Sequence, residues 1–407
     1  MHSPRDRSIV RDLARRYAEV SADPEMDRRR DLWRRHNSLE FTPPLIYVRA
    51  FAWNELPDAV CHCEDPLCRQ YESFLRQQLY RAALADDSVL EPWVTVGAIH
   101  RCGGWGVSAR RLAPDTPGGA CAFEHPLRTP EDIARLRPPR HEIDERATTE
   151  RLEQVQDLLG DLITVDLDRG PAYRMWTGDL STDLGHLRGI EQFMLDMLDR
   201  PEWLHELLRF MSDGVLRAQT QAEAAGDWGL SAHQNQAMPY ASELPDPAAN
   251  HRGTARSRLW GYMAAQEFTA VSPAMHEEFL LRYQMPILAA FGLTAYGCCE
   301  DLTHKIDMLR RIPNLRRIGV APAADVRRCV EQIGTDYVVS YRPSPADMVG
   351  YGYDPERVQR ILRRDLEACR ETHVDITLKD VETVGGDPQR VPRWVRDTRT
   401  VIDGLWS

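Results

Sequence analysis

The sequence predicts an α/β fold, a (β/α)8 TIM barrel preceded by an N-terminal helical extension. Three observations carry this. Short apolar runs of strand length recur along the chain, and most are followed by a stretch of helical period. About eight such units in series point to a parallel sheet closed into a barrel. At 407 residues the chain is long enough for one large domain of that kind.

The first forty residues read as two helices, 9–20 and 24–40. The second has a clear start signal, with Asp23 as N-cap, Pro24 at the first helical position and Glu25 in the first turn. Pro43-Pro44 ends this extension, which places it at 1–42 and the catalytic barrel at 43–407. Strands are expected at 44–48, 92–97, 162–166, 228–232, 257–262, 293–298, 316–320, 336–341 and 374–378. Helices are expected at 66–84, 188–198, 201–225, 273–290, 302–311, 324–333 and 355–371. Nine runs compete for eight places, so one of them is not a barrel strand. Residues 100–140 and 233–256 have little periodicity, and loops of that length in a compact domain are usually functional.

Composition narrows the class. The chain is 43% apolar and 28% charged, and it has no apolar run near the length of a membrane span. The charged N-terminus has no apolar signal-peptide core, so a cytoplasmic location is expected. A net charge of -11 argues against a nucleic-acid partner, which would need a basic face. Nine cysteines, an odd number without an export signal, argue against a disulfide framework. Cys61-His62-Cys63 with Cys68 lacks the second ligand pair of a zinc knuckle; Cys63-Glu64-Asp65-Pro66 reads better as a helix start, with Asp65 as N-cap.

The chemistry-bearing stretch is Gly297-Cys298-Cys299-Glu300-Asp301, directly after the strand-like Leu293-Thr294-Ala295-Tyr296. In a (β/α)8 barrel the carboxyl ends of the strands open into the active site. Two thiols and two acids there could bind a soft metal or supply a thiolate. The alternative is that one cysteine packs in the core and Glu300 caps the next helix. Consecutive side chains on a strand face opposite ways, which favours Cys298 over Cys299 as ligand or nucleophile.

Other groups fall at expected strand mouths. His233-Gln234-Asn235-Gln236 offers an imidazole as ligand or base, and neutral donors for a polar substrate. Trp53-Asn54-Glu55 and Glu91-Pro92-Trp93 supply acids that could act in proton transfer, or else cap helices and form salt bridges. Arg342, in Tyr341-Arg342-Pro343, could clamp a carboxylate or phosphate, or make a surface ion pair. Gln266-Glu267 and Lys379-Asp380 are further mouth candidates. Gly103-Gly104-Trp105-Gly106 lacks the setting of a phosphate loop, and no Gly-x-Ser-x-Gly elbow occurs. The runs Arg28-Arg29-Arg30 and Arg34-Arg35 alternate with acids as solvated helix faces do.

The order of segments resembles the uroporphyrinogen decarboxylase superfamily, which also holds zinc-dependent corrinoid methyltransferases. The residues that carry the resemblance run from Pro44-Leu45-Ile46-Tyr47-Val48-Arg49 and Cys63-Glu64-Asp65-Pro66 to Ala85-Asp86-Asp87-Ser88-Val89-Leu90-Glu91-Pro92. They continue in Leu198-Asp199-Arg200-Pro201-Glu202-Trp203-Leu204-His205 and Ser272-Pro273-Ala274-Met275-His276-Glu277-Glu278-Phe279. Tyr296-Gly297-Cys298-Cys299-Glu300, Tyr341-Arg342-Pro343-Ser344-Pro345 and Tyr353-Asp354-Pro355-Glu356 complete the series. The resemblance implies a TIM barrel with its cleft at the strand carboxyl ends; it does not fix the reaction.

The departures from those families are specific. The methyltransferases' His-x-Cys metal pair corresponds to Tyr296 and Cys298, and no cysteine follows the late strand ending in Ser340-Tyr341-Arg342. An altered zinc site would draw on Cys298, Glu300 and His233, with Cys299 beside it. Of the decarboxylases' paired arginines only Arg49 is matched, and their acid could only be Glu91.

The expectation is therefore metal-assisted methyl (group) transfer to a thiol or similar small acceptor. The resemblance implies zinc, a corrinoid as methyl donor and a corrinoid protein as partner. Catalytic candidates are Glu91, Glu55, His233 and Cys299. Substrate contacts are expected from Arg49, Trp53, Asn54, Gln234, Tyr296, Gln266, Tyr341 and Arg342. The alternative is a cofactor-free decarboxylase in which Arg49 and Arg342 bind carboxylates and Glu91 or Glu55 protonates the carbanion. A third reading is a barrel that binds a corrinoid or a partner without turnover. The N-terminal helices offer a surface for a homodimer.

Overall fold

The computed structural model describes residues 3–49, 51–101, 104–112 and 121–407. Cys102, Gly103 and residues 113–120, parts of the long stretch at 100–140, lie outside the described residues. Helix α1 (Pro4–Ser21) is capped by Ser3, whose hydroxyl accepts the Asp6 N–H at 3.1 Å. Helix α2 (Pro24–Asn37) starts as its sequence signals, with the Asp23 carboxylate accepting the Glu25 N–H at 2.8 Å. The apolar stripe of α1, Val10, Leu13, Ala14 and Tyr17, is buried against Tyr71 and Leu75 of the helix Pro66–Ala83 and Val155 and Leu158 of the helix Glu145–Leu159.

Ten strands follow in chain order: β1 (Leu45–Val48), β2 (Trp93–Gly97), β3 (Arg110–Leu112), β4 (Ala122–Glu124), β5 (Thr164–Asp168), β6 (Trp260–Met263), β7 (Leu293–Tyr296), β8 (Leu315–Val320), β9 (Val338–Tyr341) and β10 (His373–Leu378). One parallel sheet has the order β1-β10-β9-β8-β7-β6, so the first strand lies beside the last. β2 and β5 form a separate parallel pair, and β3 with β4 an antiparallel ribbon. Among the described residues no ladder joins β1 to β2 or β5 to β6, and no helix is long and apolar enough to cross a membrane.

Hydrogen bonds from outside the sheet cover the strand edges that those two missing ladders leave. On β1 the Ile46 and Val48 N–H groups donate to the Asp87 and Asp86 carboxylates at 2.7 and 2.8 Å. On β5, Leu167 N–H donates to Asn250 Oδ1 and Val165 C=O accepts from Asn250 Nδ2. On β6, Trp260 C=O accepts from the Gln234 N–H at 3.0 Å. These bonds satisfy buried backbone groups that would otherwise be unpaired.

The strand expected at 228–232 does not form. Leu230–Ala232 is a 3-10 turn instead. Trp228 packs edge-on to Phe291 with ring centroids 5.9 Å apart, and its carbonyl is taken by the Thr254 N–H. A Cβ on Gly229 would lie 2.5 Å from the His251 carbonyl oxygen. The run is apolar because it is buried, not because it belongs to a ladder. The helix expected at 273–290 is also interrupted: Pro273–His276 passes into a π-turn, Glu277–Leu281, before Arg282–Leu288.

The sheet separates two chemistries. Val374, Ile376 and Leu378 of β10, Val339 and Tyr341 of β9 and Ile318 and Val320 of β8 join the main apolar core. The residues between them carry polar side chains to the opposite face. There Arg317 Nη2 meets Asp375 Oδ2 at 2.6 Å, both completely enclosed. Ser340 Oγ donates to Asp375 Oδ1 at 3.1 Å, Asn37 Oδ1 accepts from Arg317 Nη1 at 2.7 Å, and His36 Nε2 lies 3.3 Å from Asp375 Oδ2. Burial alone would raise the Asp375 carboxyl; the Arg317 charge and the hydrogen bonds of His36 and Ser340 overcome it and hold the group at about 2.

Removing one partner of a buried pair strands the other charge. Asp375→Asn is expected to lower unfolding free energy by roughly 3–5 kcal/mol, with Arg317→Met/Asp375→Leu costing less than either single change. The sign with pH follows from the depressed folded-state pKa. Wild type keeps this contribution above the unfolded value of about 3.9 and loses it as pH falls toward about 2. Urea unfolding at stepped pH measures both effects.

Candidate active site

All strands of the parallel sheet end on one side, so the residues just past their carboxyl ends converge there. Cys298 and Cys299 follow β7, Arg342 follows β9, Lys379 and Asp380 follow β10, Arg49 follows β1, and Tyr262 stands on β6. Gly297 makes the turn out of β7 in the left-handed region, at φ 101°. A Cβ there would come 2.7 Å from the Leu302 side chain, so only glycine brings the chain through this close approach.

The two sulfurs lie 3.5 Å apart, Cys298 buried and Cys299 exposed. The Lys379 ammonium donates to the Cys299 sulfur at 2.8 Å and also pairs with the Asp380 carboxylate. Asp380 is held at φ 56°, uncommon for a residue with a side chain, and this backbone turns its carboxylate back onto Lys379. The Arg342 guanidinium donates to the Cys298 carbonyl. Gln236 donates to the Tyr262 hydroxyl, and Tyr262 in turn to the Gly297 carbonyl at 3.3 Å.

This arrangement favours one negative charge shared by the pair of thiols. The Cys298 thiol is lowered to about 5 by the hydrogen bond from Cys299, with Arg342, Lys379 and Gln236 outweighing burial. The Cys299 thiol is correspondingly raised, first by its bond to the Cys298 sulfur and then by burial. Burial alone would lower Lys379, but Asp380 and the two sulfurs reverse this, so the lysine stays an ammonium.

An aromatic wall adjoins the sulfurs. Tyr262 and Trp176 meet edge to face at 5.0 Å, and the Arg49 guanidinium lies 5.2 Å from the Trp176 ring centroid. Gln234 Oε1 accepts the Met175 N–H at 2.7 Å, fixing the turn that carries Trp176; Met175 itself stands at φ 47°. Arg342 also borders a cavity of about 300 Å³ between the ends of β8 and β9 and the helices Val326–Ile333 and Pro355–Ala368.

Several expected site residues are engaged elsewhere. Glu300 is completely buried, its two oxygens accepting the Ala265 and Cys298 N–H groups at 2.8 Å each, so it ties the β7 loop to the end of β6. His233 has both ring nitrogens in use: Nδ1 accepts from Trp260 N–H at 3.2 Å and Nε2 donates to the Pro245 carbonyl at 3.1 Å. Burial lowers its pKa to about 4, so it is neutral and unavailable as a base. The zinc set Cys298, Glu300 and His233 is therefore corrected: Glu300 and His233 are each engaged by backbone groups, and the three are not brought together. Among the described residues no group of three or more His, Cys, Asp and Glu is placed to hold a metal ion. The cation that touches the thiol pair is the Lys379 ammonium, on the Cys299 sulfur.

The two catalytic acids are corrected as well. Glu91 precedes β2 and so lies at the amino end of the strands, bonded to Tyr240 and to Arg30 at 3.1 Å; burial raises it to about 7. Glu55 is solvent-exposed and fastens the 383–386 loop, accepting the Val384 N–H at 2.9 Å. Tyr296 and Tyr341 point into the helix layer, where their hydroxyls bond Gln284 at 2.8 Å and Asp365 at 2.7 Å. Trp53 packs on Phe51 and Tyr80, Asn54 is exposed, and Gln266 opens a 3-10 turn beyond β6. The site brings together Cys298, Cys299, Arg342, Arg49, Gln234, Gln236, Lys379 and Asp380 from the expected set. It adds Tyr262 and Trp176.

The fold is similar to that of a solved methyltransferase from Methanosarcina mazei, with a TM-score of 0.50 over 93% of this chain and 99% of that chain at 10% sequence identity. No family model and no curated protein matches the sequence.

If Lys379 supplies the charge that keeps the thiol pair ionised, Lys379→Met raises the Cys298 pKa toward the ordinary thiol range. At neutral pH that cuts the thiolate fraction by on the order of tenfold. Iodoacetamide labelling of Cys298, followed by peptide mass spectrometry, should slow by that factor; an unchanged rate would mean that the lysine plays no such part.

Proposed function

We propose that this chain is a methyl-transfer enzyme on a (β/α)8 barrel of the uroporphyrinogen decarboxylase-like kind, acting on a small thiol or similarly soft acceptor. The observation that carries the reading is the thiol pair set against the Lys379 ammonium at 2.8 Å, with Arg342 on the adjoining carbonyl. Fixed cations at this point favour a sulfur anion, whether that anion belongs to Cys298 or to a bound acceptor. The likeness of the fold to a methyltransferase supports methyl as the group moved.

In this reading Cys298 works as a proton acceptor. The acceptor's S–H proton passes to the Cys298 sulfur, and the negative charge moves to the bound thiol, which the same two cations then stabilise. The acceptor thiolate attacks the methyl carbon of a donor; the new S–C bond forms as the donor's C–X bond breaks, with both electrons going to X. Cys298 then loses its proton to solvent, which returns the negative charge to the thiol pair. The donor is a corrinoid or onium methyl compound, bound as substrate. Lys379 and Arg342 do what a Lewis-acidic metal would do, and no step here needs one.

The decarboxylase reading is weaker on this geometry. Its cations, Arg49 and Arg342, stand at the mouth, but its proton donors do not: Glu91 is at the wrong end of the strands and Glu55 is spent on the 383–386 loop.

Methyl transfer from methylcobalamin or a methylsulfonium compound to thioglycolate tests the proposal. Wild type is expected to turn over and to keep its rate after dialysis against a chelator, and Cys298→Ser to lose at least a hundredfold, the lower range for general base catalysis. Loss of activity on chelation with recovery on adding zinc, or full activity in Cys298→Ser, would contradict it.

A further inference from the structure

Three polar atoms around the thiol pair are buried and have no hydrogen-bond partner: Gln234 Nε2, Gln236 Oε1 and Arg342 Nε. Their side chains are 3%, 4% and 2% exposed. Leaving a buried donor or acceptor unpaired is costly, and native structures tolerate few without a purpose. These three belong to one neighbourhood. Gln236 bonds the Tyr262 hydroxyl, which bonds the Gly297 carbonyl next to Cys298; Arg342 bonds the Cys298 carbonyl; Gln234 holds the turn whose Trp176 packs on Tyr262.

The set has a definite polarity. Gln234 and Arg342 each offer an N–H, so both ask for an acceptor, and Arg342 with Lys379 makes that acceptor an anion. Gln236 offers a carbonyl oxygen, so it asks for a donor. A planar carboxylate satisfies two donors at once. The remaining oxygen is satisfied by a hydroxyl or N–H carried next to that carboxylate.

We propose that the cleft recognises small carboxylates that bear a hydroxyl or N–H donor on the adjacent carbon. Gln234 and Arg342 bind the carboxylate and Gln236 accepts from the donor. The inference rests on the reading of this cleft as the active site and concerns the polar groups that a bound molecule carries besides its reacting atom. Simple carboxylates without the donor leave the Gln236 oxygen unpaired and so bind more weakly, the asymmetry by which buried polar groups reject an analogue that lacks their partner.

The test is titration calorimetry of the full-length protein with acetate and with glycolate, which differ by one hydroxyl. One buried hydrogen bond corresponds to about a tenfold difference in affinity, so glycolate should bind about ten times more tightly. Gln236→Leu should abolish the preference, and Gln236→Glu, which keeps an acceptor oxygen, should restore it. Unfolding curves for the two variants show that each is folded. Cys298→Ser should keep the preference for glycolate while losing methyl transfer, so a failure of the proton-acceptor role and a failure of this recognition give different results. Equal affinity for the two acids, no binding of either to wild type, or a preference that survives Gln236→Leu would overturn the proposal.

Discussion

The ion pair between Arg317 and Asp375 is the constraint on which the rest of the molecule depends. It spans from β8 to β10 across β9, whose Ser340 bonds both members, and it reaches the end of α2 through Asn37 and His36. A strand side-chain period of two means that fixing one residue fixes the face of every other. With Asp375 turned to the polar face, Thr377 and Lys379 follow it, and Ser340 takes Arg342 with it. A slip of one residue in β10 would send Lys379 into the apolar layer that holds Val374, Ile376 and Leu378. The pair is thus better understood as a register device than as a source of net stability, since the cost of enclosing both charges offsets much of their attraction.

The chemistry at the mouth follows from that register. Two cations arrive from separate strands at a loop that Glu300 clamps from below and Gly297 bends from behind. The sulfurs meet them because the loop after β7 is short and its backbone groups are held by Glu300, Tyr262 and Arg342. The strain in the site is concentrated in two left-handed residues, Met175 and Asp380. Each is pinned by one side-chain contact, Gln234 in the first case and Lys379 in the second. Such positions persist only where the surroundings over-determine them.

Much of this was legible in the sequence. Asp23-Pro24 and Asp65-Pro66 announced two helices by local chemistry alone, and the caps form as those residues dictate. Strand runs rich in Val and Ile were found within a few residues. The adjacent cysteines were conspicuous because their position after a strand is a local property. What the sequence concealed was non-local. Glu91 and Glu55 were read as mouth acids from their closeness to strands, but which end of a strand a residue occupies decides its role, and Glu91 sits before β2, not after it. His233 looked free because its partners, Trp260 and Pro245, are distant in sequence. Tyr296 and Tyr341 were assigned to the cleft although β-strand parity sends them to the helix layer. That parity was available: His373, Asp375, Thr377 and Lys379 alternate with Val374, Ile376 and Leu378, which marks β10 as a strand with a polar inner face.

The central claim is that Cys298 carries a negative charge within the cleft. The ultraviolet absorbance of thiolates, recorded as a wild-type minus Cys298→Ser difference during acid titration, measures that charge directly. A difference signal is expected that is full at neutral pH and is lost only on acidification well below the ordinary thiol range. No difference at neutral pH, with a thiolate signal that develops only near the ordinary thiol value of about 8.5, would contradict it.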